Sequence, residues 1–532
     1  MEVDRLLRDL GKFGKWQILI NPKFPGYQPA HRCKIPTNSS LDDWIPHDDS
    51  SSNSHGMNAT QWSKCEMYVN ASVNNETSEC LDGWEYEDEE IGDGLLTIVS
   101  QWDLVCTRDF LVQTSQVVLV LGIMCGSIAI TIISDRFGRK PVFITCQMLL
   151  VLFGSLSALM PNIHWFIVSK FFIGLVEHGV TMIGFVLMYE LFTVDERTFL
   201  GLIGGNFWGF ACALMPIFAY FIKNWTYFQL FISLIPLTFI PLFWHVCTLF
   251  PESVHWLYAN DRMDEVNEVL KSAARMNKVA APLVNVSNKV TTKEMKDQKF
   301  LREEKLFVPS SVEHRAVRYT MADLFRNATM LKHLSICVVA WTSCTLVYYG
   351  LTWSTAQLSG TRYWNAFFNG LVEMPAYTLS YFIVIRFGRR NPMATFFLID
   401  GSKASMWVTA LNLIGKFGIT GAFGISFIYV GELFPTNLRI FQMLKCCRSQ
   451  AMGLCCLFGR IGLLAATFST YIATTHPILT SFTFAILSIL AAILLLLLPE
   501  TIERPLPETI EEIEDWKYNN PQHKILGSFE KI

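Results

Sequence analysis

Ten stretches of this sequence are apolar over enough residues to cross a lipid bilayer, and they carry few charges away from their ends: 111–133, 142–160, 165–188, 199–222, 227–250, 334–349, 364–385, 406–433, 452–473 and 478–498. A helix needs about 20 such residues to cross ~30 Å of hydrocarbon. One buried helix of this kind occurs in soluble proteins; ten in one chain point to a bilayer. The composition agrees, because 51% of the 532 residues are hydrophobic and 17% are charged, against about 25% charged in soluble domains. The stretch 334–349 is short and is expected to extend back toward Thr329. The predicted fold class is an all-α membrane protein.

Lys and Arg set the orientation, since short cytoplasmic loops carry the excess of both. Arg136, Arg139 and Lys140 follow the first complete span, Arg386, Arg389 and Arg390 follow the seventh run, and residues 251–328 are rich in both residues. These belong in the cytoplasm. The segment 30–105 is the opposite. It is acidic, with Asp42, Asp43, Asp48, Asp49 and an acidic run over 85–90, and it holds Asn-x-Ser/Thr sequons at Asn38, Asn58, Asn70 and Asn75. Cys33, Cys65, Cys80 and Cys106 cluster around it. Such a loop reads as extracellular, glycosylated and disulfide-linked. Four cysteines allow three pairings, and all three remain open on the sequence. Asn285 and Asn327 fit the sequon pattern on the cytoplasmic side, where they are expected to stay unmodified.

The chain also repeats itself. Asp135-Arg136-Phe137-Gly138-Arg139-Lys140-Pro141 is echoed by Arg386-Phe387-Gly388-Arg389-Arg390-Asn391-Pro392. Glu190 and Arg197 are spaced like Glu432 and Arg439, and Pro251-Glu252-Ser253 matches Pro499-Glu500-Thr501. Three markers in the same order, all on the predicted cytoplasmic side, imply two halves related by pseudo-symmetry around a central path. Gly138 and Gly388 suit tight turns. The Arg and carboxylate markers Asp135, Arg136, Arg139, Glu190, Arg197, Arg386, Arg389, Glu432 and Arg439 suit ion pairs between helix ends that hold one conformation closed. The repeat also exposes two short segments. Before the acidic loop only 16–20 is apolar, about 7.5 Å of helix. In the second half 393–399 is a fragment followed by Asp400 and Lys403. Spans one and nine therefore read as truncated, and residues 440–448 read as an insertion. The expected organisation is an N-terminal half over 1–250, a cytoplasmic loop over 251–328, a C-terminal half over 329–500 and a cytoplasmic tail over 501–532.

Several motifs are more specific. Gly11-Lys12-Phe13-Gly14-Lys15-Trp16-Gln17 stands near the N-terminus, and His31-Arg32-Cys33 and Gln101-Trp102-Asp103-Leu104-Val105-Cys106 bracket the large loop. With the repeat markers and Gly415-Lys416-Phe417, the chain resembles the organic cation, anion and carnitine transporter family (solute carrier family 22) of the major facilitator superfamily. The resemblance implies two pseudo-symmetric six-helix halves and alternating-access transport of small organic ions at the plasma membrane. It implies a multi-pass protein without enzymatic activity or cofactor, whose partners are its substrate and the bilayer; self-assembly is compatible with the sequence. No domain argues for nucleic acid, and no metal spacing, phosphate loop or triad stands out.

Ionisable residues inside a membrane are expensive and default to functional candidates. Arg460, about 12 Å into its span at 1.5 Å per residue, matches a family position that resembles Asp in cation transporters and Arg in anion and carnitine transporters. Its guanidinium suits a carboxylate. Glu373, ~20 Å from the cytoplasmic end of its helix, matches a cavity carboxylate that can pair with Arg460, receive an ammonium or carry a proton. Tyr377 resembles the carnitine branch. Trp341 and Tyr348 share a face of span seven and suit a quaternary ammonium through cation–π contact. Lys416 is a cavity cation candidate, with structural snorkelling as its plainer reading. The neighbours Glu177 and His178 read first as a satisfied core pair, with His178 as a proton-linked switch behind it. Carnitine-like zwitterions and organic anions lead, an organic-cation-selective transporter follows, and the reading from another class is a truncated, non-transporting isoform.

Overall fold

The computed structural model describes residues 30–34, 45, 65–70, 73–80, 82–87, 96–191, 194–238, 252–253, 256–257, 260, 262–277, 326–354, 362–398, 408–434, 447–475, 477–501 and 513. Asn38, Asn58, the segment 16–20, Asp400, Lys403, most of the 440–448 insertion, Arg439 and nearly all of the tail lie outside them, as do the side chains of Glu190 and Arg197.

The described parts of the acidic loop form two small antiparallel sheets. Strand β1 (Ala30–Cys33) pairs with β4 (Trp84–Glu87), and β2 (Glu66–Asn70) pairs with β3 (Val73–Glu79). Two-stranded ribbons are marginal alone, and disulfides hold these: Cys33 bonds Cys80, and Cys65 bonds Cys106. Of the three pairings open on the sequence, this one anchors the loop directly to the head of the first long helix. The short helix α1 (Ile98–Trp102) starts on a Thr97/Ser100 capping box and ends at Asp103, whose φ of 49° is left-handed. Asp103 accepts a 2.9 Å hydrogen bond from the Tyr86 hydroxyl. Burial and this carboxylate push the Tyr86 phenol well up from its ordinary value.

Among the described residues, each apolar run falls on helix. The helices are α2 (Phe110–Phe137), α3 (Arg139–Ala158), α4 (Ile163–Leu191), α5 (Val194–Phe221), α6 (Trp225–Thr238), the cytoplasmic α7 (Met263–Asn277), α8 (Ala328–Ser354), α9 (Arg362–Leu371), α10 (Glu373–Phe387), α11 (Arg390–Leu398), α12 (Val408–Leu433), α13 (Cys447–Thr475) and α14 (Pro477–Leu495). Six stretches, Cys106–Phe137, Arg139–Ala158, Ile163–Leu187, Gly201–Phe221, Ala328–Trp353 and Asn412–Leu433, are long and apolar enough to cross a membrane by length and composition. Gly453–Ser469 and Leu479–Leu495 are shorter apolar helices. Large apolar side chains such as Ile128, Ile132, Phe382, Ile486 and Leu497 stay exposed along these helices, as a lipid-facing surface requires.

Three expectations are refined. Span seven runs to both sides of 334–349, because Asn327 Oδ1 caps it by accepting from Thr329 and Met330 N–H at 2.9 and 3.1 Å. A pattern that reads as a sequon serves here as an N-cap. The run 364–385 is two helices with a turn at Val372. Pro375 has no N–H for the Leu371 carbonyl, which is the usual reason for such a break. Of the span-nine fragment, residues 393–398 fall in α11.

Without a hydrophobic drive between helices in lipid, small residues set the closest contacts. In α2, a Cβ at Gly122 would stand 2.2 Å from the Phe171 carbonyl oxygen, and one at Gly126 would stand 2.3 Å from that of Leu175. The backbones of α2 and α4 therefore touch. Between the halves, α2 packs on α13, and α5 packs on α9 and α10. The Gly138 turn follows α2 and the Gly388 turn follows α10, so the two contacts exchange under the repeat.

The repeat markers themselves build matching corners. Gly138 (φ 103°, ψ 159°) and Gly388 (φ 88°, ψ −164°) sit in a backbone region essentially reserved for glycine. Behind Gly138, the Glu252 carboxylate accepts from the N–H groups of Arg139 at 3.0 Å and Lys140 at 3.1 Å. Behind Gly388, Glu500 accepts from Arg389 N–H at 2.8 Å and Arg390 N–H at 3.1 Å. Each carboxylate thus caps the orphan donors and positive end of the following helix. A Cβ on Gly138 would lie 2.7 Å from Glu252 Oε2, and one on Gly388 would lie 2.6 Å from the Glu500 carboxyl carbon.

Two outcomes follow. Peptide mapping under non-reducing conditions will return linked fragments for Cys33–Cys80 and Cys65–Cys106. Gly388→Ala will lower the stability of detergent-solubilised protein by roughly 1–3 kcal/mol from backbone strain alone, seen as an earlier thermal transition. Ala at exposed Gly453, where nothing lies within 4 Å, will not.

Candidate functional site

The break at Val372 places Glu373 at the start of α10, where the helix faces α5 of the other half. Glu373 and Lys416 are both fully buried and form an ion pair with Lys416 Nζ 3.0 Å from Glu373 Oε1. The Tyr348 hydroxyl donates to the same oxygen at 2.7 Å and accepts from Trp208 Nε1 at 3.0 Å. Lys416 Nζ also stands 3.2 Å from the centroid of the Tyr348 ring and donates to the Thr352 hydroxyl. Thr352 in turn donates to the Tyr348 carbonyl at 2.6 Å. The network therefore joins α5 of the first half to α8, α10 and α12 of the second. Inside a low-dielectric interior, two charges persist only when paired and hydrogen-bonded, and Tyr348 and Thr352 supply the hydrogen bonds here. Among the described residues, Glu373 Oε2 has no hydrogen-bond partner although it is buried.

Around this pair the walls are aromatic. The Tyr348 ring stacks on Phe423 at 5.4 Å, and Trp341 meets Phe427 edge-on at 4.7 Å. Phe185 of α4 approaches Phe427 at 5.8 Å. Tyr377, one turn along α10, lies flat over two glycines: a Cβ at Gly205 of α5 would reach its ring at 2.5 Å, and one at Gly424 of α12 at 3.1 Å. Asn206 Nδ2 donates to the Thr378 hydroxyl at 2.9 Å beside it.

Arg460 occupies a second position. Trp341 packs on Gly459, the residue before it, and Thr345 donates to the Gly459 carbonyl at 2.8 Å. This fixes α13 on α8. From there the Arg460 guanidinium reaches the first half, with Nη2 3.3 Å from His178 Nδ1 on α4. The pairing of Glu373 with Arg460, one of the options on the sequence, is not what forms: Glu373 takes Lys416, and Arg460 takes His178. Glu177 and His178 are both buried in the core of α4. Glu177 accepts from the Thr181 hydroxyl at 3.2 Å. Tyr349, on the next face of α8, lies within electrostatic range of Arg460, Glu177 and Glu373.

The repeat markers at the helix ends behave differently from these central residues. Arg389 pairs with Glu432 at 3.0 Å, and Thr501 donates to the other Glu432 oxygen at 2.7 Å. Arg139 pairs with Asp135 at 3.0 Å within one helical turn. Arg136 and Arg386 lie over the neighbouring Phe137 and Phe387 rings. Sequence reasoning missed Trp208 and Thr352 in the central network and gave Glu252 and Glu500 only a marker role. The signal for Trp208 was an indole N–H inside a span, which must find an acceptor.

The model of the family described as "Sugar (and other) transporter" matches residues 56–513. The "Organic cation transporter protein" of Drosophila melanogaster is 30% identical over 471 residues, covering 82% of this chain and 83% of that one. "Solute carrier family 22 member 15" of Xenopus tropicalis is 31% identical, covering 78% and 75%. "Organic cation/carnitine transporter 2" of Mus musculus is 28% identical, covering 92% and 90%. Among solved structures, the xylose transporter XylE from E. coli in an inward open conformation superposes with a TM-score of 0.52 at 16% identity over 77% of this chain and 89% of that one, which speaks for the fold. By its repeat, its helices and these relatives, the chain is a multi-pass membrane transporter of the major facilitator superfamily and belongs to solute carrier family 22.

Proposed function

We propose that this protein moves small organic ions, carnitine-like zwitterions and organic anions foremost, across the plasma membrane by alternating access. The observation that carries the reading is the pair of opposite charges between the halves: a buried Glu373 with one oxygen unpartnered, and an Arg460 guanidinium whose described hydrogen-bond contact is with the His178 ring and not with a carboxylate. An ammonium is drawn to Glu373 and to the faces of Tyr348 and Trp341. A carboxylate is drawn to Arg460 with bidentate geometry. Each arrival competes with a contact that joins helices, Lys416 on Glu373 and His178 on Arg460. Binding therefore loosens one packing of the halves and favours another, which is the requirement for a ligand to shift a two-state equilibrium. At the cytoplasmic ends, Arg389, Glu432 and Thr501 tie α11, α12 and the start of the tail together and act as a latch on the second half. Asp135 with Arg139 serves the first half, where Glu190 and Arg197 are expected to join it. The relatives named as organic cation and carnitine transporters support the substrate class.

Uptake of labelled carnitine, urate and tetraethylammonium in expressing cells tests this. Arg460→Asp will reduce carnitine and urate uptake at least tenfold, about 1.4 kcal/mol or more, and will raise tetraethylammonium uptake. Equal uptake of all three by both forms would overturn the Arg460 assignment. An intracellular chain resistant to biotinylation and without the mass loss of deglycosylation at Asn70 and Asn75 would favour the non-transporting isoform instead.

The Glu373–Lys416 pair makes a second outcome. Lys416→Met strands a buried carboxylate, so stability will fall by about 3–5 kcal/mol. The double variant Glu373→Gln with Lys416→Met will regain most of that loss, read by thermal melting in detergent, and will still fail to take up carnitine.

A further inference from the structure

We propose that Asn369 and Glu373 together seat a hydroxyl group of the transported ion, so that hydroxylated zwitterions are selected over their deoxy analogues. The inference rests on the transport reading above and adds the group by which the substrate is recognised. Along α9 one side exposes Trp364, Phe368 and Leu371, and the buried side carries Asn365 and Asn369. The turn at Val372 keeps helical dihedrals, φ −62° and ψ −24°, and its N–H donates to the Phe368 carbonyl at 3.0 Å. Asn369 and Glu373, four residues apart, are therefore neighbours on the buried side. Asn369 is 3% exposed and Glu373 1%. Helical side chains lean toward the N-terminus of their helix, so Glu373 leans toward Asn369.

Each of the two carries an unfilled polar atom. Among the described residues, Asn369 Nδ2 has no hydrogen-bond partner, and neither has Glu373 Oε2. The first is a donor. The second belongs to a carboxylate paired with Lys416 and is an acceptor. A buried donor or acceptor left unmade is costly. Two such atoms of opposite kind on adjacent turns call for one group that accepts from the amide and donates to the carboxylate, and a hydroxyl does both. A trimethylammonium does neither, because it has no N–H. It approaches Glu373 by charge and the Tyr348 ring by cation–π contact, and it leaves Oε2 unfilled. A hydroxyl two carbons from the nitrogen, as in carnitine, stands beside the ammonium and completes the set.

The rest of the central network leaves this place to a ligand. Tyr348 and Lys416 both use Oε1 of Glu373. Trp208 Nε1 is taken by the Tyr348 hydroxyl, and the Thr352 hydroxyl by the Tyr348 carbonyl. Helix α5 closes over the same region: a Cβ at Gly209 would stand 3.0 Å from Glu373 Cβ, and one at Gly370 would stand 2.5 Å from the Ala213 nitrogen. The occupant between helices this close is a small group. Since α5 belongs to the first half and α9 and α10 to the second, the hydroxyl is held where the halves meet. A deoxy ligand brings the same charges but leaves the amide and the carboxylate oxygen unmet, and selectivity is the difference between the two cases. Arg460 then reads the charge of the substrate, and Asn369 reads its hydroxyl.

The test compares labelled carnitine with labelled γ-butyrobetaine, which lacks only the hydroxyl, at equal tracer concentration in cells expressing the full chain. Wild-type uptake of carnitine will be faster by about tenfold. Asn369→Leu keeps the volume and removes the amide. At equal surface biotinylation it will lower carnitine uptake far more than γ-butyrobetaine uptake, so that the ratio falls toward one. Asn369→Ser, whose hydroxyl still donates, will hold an intermediate ratio. A merely structural role for Asn369 would slow both substrates in parallel. A wild-type ratio near one overturns the inference and leaves the transport reading standing. So does the wild-type ratio kept in Asn369→Leu, or a parallel fall of both substrates. Uptake of urate or tetraethylammonium but of neither zwitterion also overturns the inference alone. No uptake of any of the four by surface-resident wild type overturns both. The wild-type ratio is read without a variant, so it decides even where substitution of Asn369 keeps the chain from the surface.

Discussion

A charge in the middle of a bilayer has no water to turn to, and the helices of this protein are arranged around that fact. Glu373 and Lys416 are fully buried, and each answers the other. Tyr348, Trp208 and Thr352 are then fixed by what the pair requires: a phenol to donate, an indole to hold the phenol, and a hydroxyl to accept from the ammonium. Because these side chains come from four helices, satisfying one ion pair sets the approach of α5, α8, α10 and α12. The site is thus a structural knot before it is a binding place. A ligand that offers equivalent partners can take over part of that work.

At the cytoplasmic surface the same economy appears with backbone in place of side-chain charge. A helix that begins immediately after a sharp turn exposes unsatisfied N–H groups, and a glutamate from the end of each half fills that need. The turn has to be glycine both for its dihedral angles and for the carboxylate lying against it. The sequence repeats because the geometric problem repeats. That is why Gly138 with Glu252 and Gly388 with Glu500 recur at matched places in the two halves.

Much of this was legible beforehand, and the reasons are physical. The spans announce themselves through unbroken apolar runs, since lipid and neighbouring helices both accept apolar side chains. The two turns were readable from glycine flanked by arginine. Partners across the halves were not. Nothing local to Arg460 says that it meets His178, because that contact depends on how α13 lies against α4. Likewise Glu373 was open on the sequence to Arg460, a substrate ammonium or a proton, and its pairing with Lys416 depends on how α10 lies against α12. The disulfide pairing also depended on the strands' register, which a short acidic loop with weak alternation does not encode. The apparent loss of span one falls outside the described residues, and of span nine only α11 falls within them.

The outer cap has one more property. Its aromatic and hydrogen-bond contacts tie it to the first half. Trp102 packs against Phe166 and Trp225 at 5.3 and 5.5 Å, Trp225 donates to Gln101, and the Leu96 carbonyl accepts from Trp225 N–H. Two disulfides make the cap one piece with the head of α2. When the halves rock, the cap rides with one of them as a passenger. Its glycan sites and its surface keep a fixed relation to the first half and sweep past the second, so the mouth of the pathway changes shape through the motion of a single rigid brim.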